Sequence, residues 1–404
     1  MNHRYLGLIA ALALLSGAAQ AQEKLTARPQ VGQPVAQAGQ LLKEKKFKEA
    51  LQKLAAADAV PDKTAYERYV IEGTRASIEL SSGDYPGAIK ALQAVLATGI
   101  LSPQDALSRR EALIRLDYQV KDYAQVVAET NRYYQEGGGS EEPRLLRAQA
   151  YYLQADYSNA SKAIRAILQA DDKAGKKPDE NLLLTLLNSD LQQKNDAGRI
   201  EALERLVALY PKKQYWTDLL AAVAKKPGFA GDRLALDFDR LKAATGAMTG
   251  ADDYMEAAQR ALLAGLPGDA KSILDKGFAA GVLGAGSQAD RQKRLAAMAT
   301  QQAGDDAKTL LQQESAAAAS PDGLATEKLA QVYASFGQYD KAIAAYQQSL
   351  KKGGLKSPDD ARLHLGIAYL LGGQKAKARE TFGAIAANDG TRDLAQLWLI
   401  QGGA

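Results

Sequence analysis

Apolar residues recur along this chain three and four positions apart, and short polar turns interrupt them at a nearly constant interval. The stretch FGQYDKAIAAYQQSL (336–350) shows the pattern. Gly337-Gln338 makes a turn, Tyr339 follows, and Ala342 and Tyr346 then stand four apart, on one face of a helix. Gly373-Gln374 repeats the turn, with Lys375, Ala378 and Phe382 after it. A matching apolar set precedes each turn: Leu329-Ala330 with Tyr333, then Leu365-Gly366 with Tyr369. Comparable dipeptides stand at Lys45-Lys46, Gly83-Asp84, Lys121-Asp122, Ala155-Asp156, Asn195-Asp196, Gly231-Asp232, Gly268-Asp269 and Gly304-Asp305, with 33 to 40 residues between successive turns. This periodicity predicts an all-α chain of about ten helix–turn–helix units.

Several units repeat the aromatic and the small residue as well. Phe47 goes with Ala50 and Leu54, Tyr85 with Ala88 and Leu92, and Tyr157 with Ala160 and Ile164. Tyr123, Val126 and Thr130 form a weaker copy, and the units at Asn195 and Gly231 are placed by interval alone. Alanine lets two helices approach closely, and the aromatic four residues on fills the space beside it. Glycine followed by Asp or Gln suits the reversal, where a left-handed backbone or a short capping side chain is needed. One such hairpin cannot bury its apolar face alone; stacking on its neighbours does so, which makes an α-solenoid.

Leu365-Gly366-Ile367-Ala368-Tyr369 with Ala378 and Phe382 resembles the L-G-x-x-Y…A-x-x-x-F pattern of the tetratricopeptide repeat, and residues 329–346 resemble it with Ala330 in place of glycine. The resemblance extends over most of residues 38–390 and implies a superhelix of tetratricopeptide-like hairpins. The chain departs from the family at Arg362, where a large aromatic is usual, and at Gly354 and Gly390, where a proline would close the unit. Another kind of α-solenoid is the alternative architecture that the intervals allow. By the family's register, the inner, partner-facing residues are Leu145, Gln149 and Tyr152 in one unit and Glu327, Gln331 and Ala334 in another. The rest of the tyrosine-rich stretch, Tyr133, Tyr134, Tyr151 and Tyr157, reads as packing.

The ends are different. MNHR, the apolar run YLGLIAALALLSG and the small residues AAQAQ have the order of an export signal, with cleavage expected after Ala21. The run is shorter than the roughly 20 residues that span a bilayer. The expected location of the mature chain is the periplasm. Residues 22–37 read as a polar tether, 38–225 and 226–390 as two repeat arrays, and 391–404 as a capping helix and tail. AKKPGFAGD (224–232) is the expected break between the arrays.

Composition narrows the function further. The net charge of +4 falls to +3 when the signal takes Arg4 and no acid with it, and basic residues alternate with acids, as in KEKKFKEALQK (43–53). A nucleic-acid footprint would be a one-sided basic stripe. There is no cysteine, and after the signal leaves with His3 only His364 remains, which excludes thiolate sites and histidine-rich zinc sites. QEGGGSEEP (135–143) lacks the Lys and Ser/Thr of a phosphate loop, and the paired acids at 171–172, 252–253 and 305–306 fit helix caps. No cofactor, metal or catalytic residue is expected. The expected function is a non-enzymatic scaffold or adaptor that takes peptide or helix segments of other envelope proteins. The alternative is an accessory superhelix for cell-wall enzymes or glycan. LYPKKQYWTDLLAAV (209–223) is similar to a Y-P-x-x-x-Y-W segment of exported tetratricopeptide proteins encoded beside TonB, ExbB and ExbD, which implies an energy-transducing complex as partner. A loop proline followed by an aromatic helix start accounts for the same residues.

Overall fold

The computed structural model describes residues 26–403; the expected signal and its cleavage site lie outside them. Among the described residues every regular element is an α-helix. The chain divides into two compact units, one ending at Asp156 and one starting at Tyr157. The first holds α1 (Pro29–Lys43), α2 (Phe47–Asp58), α3 (Ala65–Ser82), α4 (Tyr85–Ala97), α5 (Pro103–Gln119), α6 (Tyr123–Gln135) and α7 (Glu141–Leu153). The second opens with α8 (Tyr157–Lys173), α9 (Glu180–Gln192), α10 (Asp196–Leu209), α11 (Lys213–Val223), α12 (Ala235–Thr245), α13 (Ala251–Leu263) and α14 (Pro267–Ala279). It closes with α15 (Ala289–Ala319), α16 (Leu324–Ser335), α17 (Tyr339–Lys352), α18 (Pro358–Leu371), α19 (Lys375–Gly383) and α20 (Thr391–Gln401). The stretch 224–232, expected as a break between arrays, lies inside the second unit between α11 and α12.

One turn geometry recurs. At Lys45, Gly83, Lys121, Ala155, Lys194, Gly265, Gly337 and Gly373 the backbone is left-handed, with φ between 56° and 83°. In each case the next N–H donates to the carbonyl five residues back, as Asp84 to Glu79 at 2.9 Å, Asp122 to Asp117 at 2.8 Å and Gln338 to Tyr333 at 2.9 Å. This bond ties off an orphan carbonyl at the end of the first helix. The side chains of Asp84, Asp122 and Asn195 then cap the second helix by accepting from the N–H three residues on. Outside glycine the left-handed conformation costs about 1 kcal/mol or more, so at Lys45, Lys121, Ala155 and Lys194 helix packing must outweigh it.

The packing residues fall where the repeat places them. Ala50, Ala88, Ala160, Ala342 and Ala378 have no exposed surface, and Tyr346 and Phe382 keep 2% and 4%. A Cβ on Gly366 would lie 2.3 Å from the Phe382 ring, so only glycine lets α18 and α19 approach this closely. Tyr333 and Tyr369, four residues before their turns, are buried. In α3, α5 and α9 that position holds an acid instead: Glu79, Asp117 and Asp190, all buried. Asp190 is answered by Arg165 at 2.7 Å and by Asn195 Nδ2 at 3.0 Å. Glu79 Oε2 and Asp117 Oδ2 have no hydrogen-bond partner. At these three hairpins a carboxyl therefore stands where the last repeats carry the tyrosine.

The turn expected at Gly304-Asp305 does not form. Residues 289–319 make one continuous helix of 31 residues. Leu295, Ala299 and Ala303 are buried on its first half, which packs on α14, and Ala317 is buried where it meets α16. Good helix formers flank Gly304, and one glycine in a helix costs only about 1 kcal/mol. So within the units the described residues form eight hairpins, with α15 and α20 as single helices and α7 and α8 on either side of the unit boundary. Nothing lies within 4 Å of a Cβ placed on Gly304. Gly304→Ala is therefore expected to stabilise the second unit by about 1 kcal/mol, and Gly304→Pro to destabilise it by about 3 kcal/mol or more. Urea midpoints of the two variants check this; a turn at 304 would reverse the sign for alanine.

Candidate functional site

Leu145, Gln149 and Tyr152 follow one another along one side of α7, spaced to share a helix face. Leu145 is 39% exposed, and Gln149 and Tyr152 are half-buried. An ionic belt borders this ridge. Arg115 of α5 donates to both Glu142 oxygens, at 2.5 to 3.0 Å, and Glu142 stands one turn before Leu145. Glu111 accepts from the Tyr133 hydroxyl at 2.5 Å and from Ser140 Oγ at 2.6 Å. The hydrogen bond from Arg115 holds the Glu142 carboxyl below its ordinary range, so the belt stays charged. Arg144 sits over the Tyr134 ring, 5.0 Å from its centre. A half-open leucine and an amide beside a surface ion pair offer apolar area and hydrogen bonding, which suits a peptide segment.

Glu327, Gln331 and Ala334 occupy one side of α16 and are half-buried. They belong to the second unit, so the structure does not gather the six predicted residues into one site of one unit. Beside them lies a buried charge cluster that the sequence did not show. His364 Nε2 and Asp237 Oδ1 are 2.9 Å apart, Arg240 donates to Asp237 at 2.7 Å, and Arg240 Nε donates to Asp269 at 2.9 Å. The Tyr346 ring lies 6.0 Å from the His364 ring, so this tyrosine also meets the following hairpin.

The charges in this cluster sustain one another. Burial works against ionising Asp237, but His364 and Arg240 outweigh it and hold its carboxyl well below the usual range. Burial likewise opposes the positive form of His364, yet the Asp237 carboxylate prevails and raises its pKa. Glu327 is pushed up by burial, against the pull of His364. His364 has 11% of its side chain exposed and serves as the link from α18 to α12. The signal available in the sequence was the pair Asp237 and Arg240, three apart among the apolar residues of α12.

The Y-P-x-x-x-Y-W segment is taken up by internal contacts. The Tyr210 hydroxyl donates to the Pro178 carbonyl at 2.8 Å, that of Tyr215 to Glu180 at 2.6 Å, and Trp216 is 4% exposed. Two shallow grooves lie in the second unit. One of about 440 Å³ is lined by Lys271, Lys276, Ser335 and Phe336. The other, about 580 Å³, has its arginines Arg165 and Arg205 paired with Glu201 and Asp172. Among the described residues no group of three or more His, Asp or Glu is placed to hold a metal ion, and no helix is long and apolar enough to cross a membrane.

Residues 327–393 match the family model of the tetratricopeptide repeat. No protein of curated function matches the sequence. Among solved structures, that of Naa15/Naa10 bound to HypK-THB shares 15% identity over 90% of this chain and 58% of its own, with a TM-score of 0.32. Yeast Tom70 shares 11% over 90% of this chain and 94% of its own, at 0.26. The TPR domain of P58(IPK) shares 16% over 91% and 98%, at 0.22. Likenesses this loose carry nothing about ligands.

The buried acid of α5 sets a pH dependence in the first unit. Burial, then the nearby charges of Asp122 and Glu129, push Asp117 from 3.8 up to about 7. Between these values the unfolded chain ionises Asp117 while the folded chain keeps it protonated. Its contribution to stability is therefore whole below about pH 4 and fades as pH rises to about 7. Asp117→Asn is expected to remove that slope. Unfolding by urea at several pH values checks it, and an unchanged slope in the variant counts against Asp117 as its source.

Proposed function

From the tetratricopeptide repeats at residues 327–393 as premise, we propose that the chain is a non-enzymatic scaffold of the cell envelope that grips a peptide or helix segment of another protein. Tetratricopeptide proteins generally act as such scaffolds. The observation that carries the proposal is the α7 ridge, where Leu145 is 39% exposed beside a surface Arg115–Glu142 pair. The register of the repeat turns this ridge to the side that such proteins use for ligands. We further propose export with cleavage after Ala21, on the order of the n-region, apolar run and small residues in the sequence. The aromatic segment 209–216 makes internal contacts, so it adds no separate support for an energy-transducing partner.

Terminal sequencing of the envelope protein is expected to find Gln22 first, and an intact Met1 would overturn the export reading. For binding, Leu145→Ala with Gln149→Ala is expected to lower capture of crosslinked envelope proteins severalfold. Both side chains are partly exposed, so the urea midpoint should move by only about 0.5 kcal/mol for each change. Full capture by the folded double variant would place the partner surface elsewhere. Retention on purified peptidoglycan with no protein captured would favour a glycan accessory instead.

A further inference from the structure

The α7 ridge belongs to a pattern that runs through the first unit. Counted back from the left-handed Ala155, its residues Leu145, Gln149 and Tyr152 stand ten, six and three places away. The same places hold Val35, Gly39 and Leu42 on α1, and Gly73, Ser77 and Leu80 on α3. These six are half-buried, none is charged, and α1 packs directly on α3. Ser77 Oγ donates to the Gly73 carbonyl at 2.9 Å, so its donor is taken up within its own helix. On α5, which packs on α7, the same places hold Glu111, Arg115 and Tyr118. One surface is thus apolar and uncharged along α1 and α3, and charged along α5 and the start of α7.

We propose that the inner side of the first unit takes a segment of another protein that is apolar and uncharged along α1 and α3 and basic at α5 and α7. This rests on the scaffold reading above and names the chemistry of its partner. The charges support the basic end. Arg115 lies 2.5 Å from Glu142 and 3.5 Å from Glu111, so two carboxylates share one guanidinium and negative charge is in excess. Arg144 and Arg147 are held over the Tyr134 ring. An acidic segment would set carboxylates against Glu111 and Glu142. The glycines support the apolar end. Glycine inside a helix is destabilising relative to alanine. Gly366 is required because Phe382 crowds it, but a Cβ on Gly39 or Gly73 would meet nothing within 4 Å. The packing of the chain therefore does not call for these two, and they leave room that an apolar side chain from outside can fill. A charged segment there would lose its hydration with no counter-ion at the six places to replace it.

Fluorescein-labelled synthetic peptides, titrated with the full chain and followed by fluorescence anisotropy, test this. In the first peptide a half of leucine and alanine is followed by a half of lysine and serine. The second has glutamate for each lysine, and the third carries lysine in both halves. At about 0.15 M NaCl the first is expected to bind about tenfold more tightly than either of the others. Raising NaCl to about 1 M, where the Debye length is about 3 Å, should shrink its lead over the second. Glu111→Gln with Glu142→Gln should abolish that lead, since glutamine keeps the shape and an acceptor but not the charge. Gly39→Leu with Gly73→Leu should weaken the first peptide by about tenfold without lowering the urea midpoint. If that pair disturbs folding, Gly39→Ala with Gly73→Ala is read instead, with a smaller loss of binding and a raised midpoint expected. No binding of the first peptide, equal binding of the first two, or full binding by the folded glycine variants overturns the proposal. Capture of envelope proteins that depends on Leu145 and Gln149 would in that case leave the scaffold reading standing.

Discussion

Apart from the longer α11–α12 connection, the hairpin turns of the described residues rest on one hydrogen bond, from the amide after a left-handed residue to the carbonyl five positions back. That bond sets the angle at which the second helix leaves the first. Two positions beside such turns are commonly buried: the residue four before the left-handed position and the one five after it. Tyr333 and Ala342, Tyr369 and Ala378, Glu79 and Ala88, and Asp117 and Val126 hold these positions, and all eight are buried. The turn is therefore the constant of the structure, and the residues at the two positions are the variable. A large ring and a methyl group fill them in the last repeats. In the first unit a carboxyl does so at the cost of its own hydration.

This division of labour explains what the sequence revealed and what it hid. The period was legible because glycine, or a short polar residue after it, marks most turns. Gly304-Asp305 carries the same mark yet lies inside a helix. At the two contact positions that a hairpin there would need stand Thr300 and Thr309, polar residues with little to hold two helices together. The dipeptide alone misled; the dipeptide read with its contact pair would not have. Leu145 was legible as an open position because helix register alone fixes its side. The cluster of Asp237, Arg240 and His364 was not, since its halves are 127 residues apart and only the tertiary return of the chain joins them.

Buried charge takes two different characters, shown by one example from each unit, although the first unit also holds answered acids such as Glu67, paired with Arg28. In the second, Asp237, Arg240, Asp269 and His364 answer one another, so each ion has a counter-ion and the set discriminates between this packing and others. In the first, Asp117 stands without a partner for one oxygen and stays neutral over much of the acid range. The second arrangement locks a geometry. The first makes stability depend on the medium.

The long helix α15 has a consequence of another kind. Loops absorb inserted residues, because a few extra links of flexible chain change little in what they connect. A continuous helix cannot. Its 31 residues form a rod of about 46 Å, and each residue added or removed advances everything after it by about 1.5 Å and turns it by about 100°. The buried contacts at Leu295, Ala299 and Ala303 in its first half and at Ala317 near its end fix the phase of that rod at two places. Length variation inside α15, between these contacts, is thus quantised: whole numbers of turns, near seven or eleven residues, keep the phase, and single residues destroy it. At this one connection the repeat array gives up the freedom to gain or lose residues singly that its loops retain.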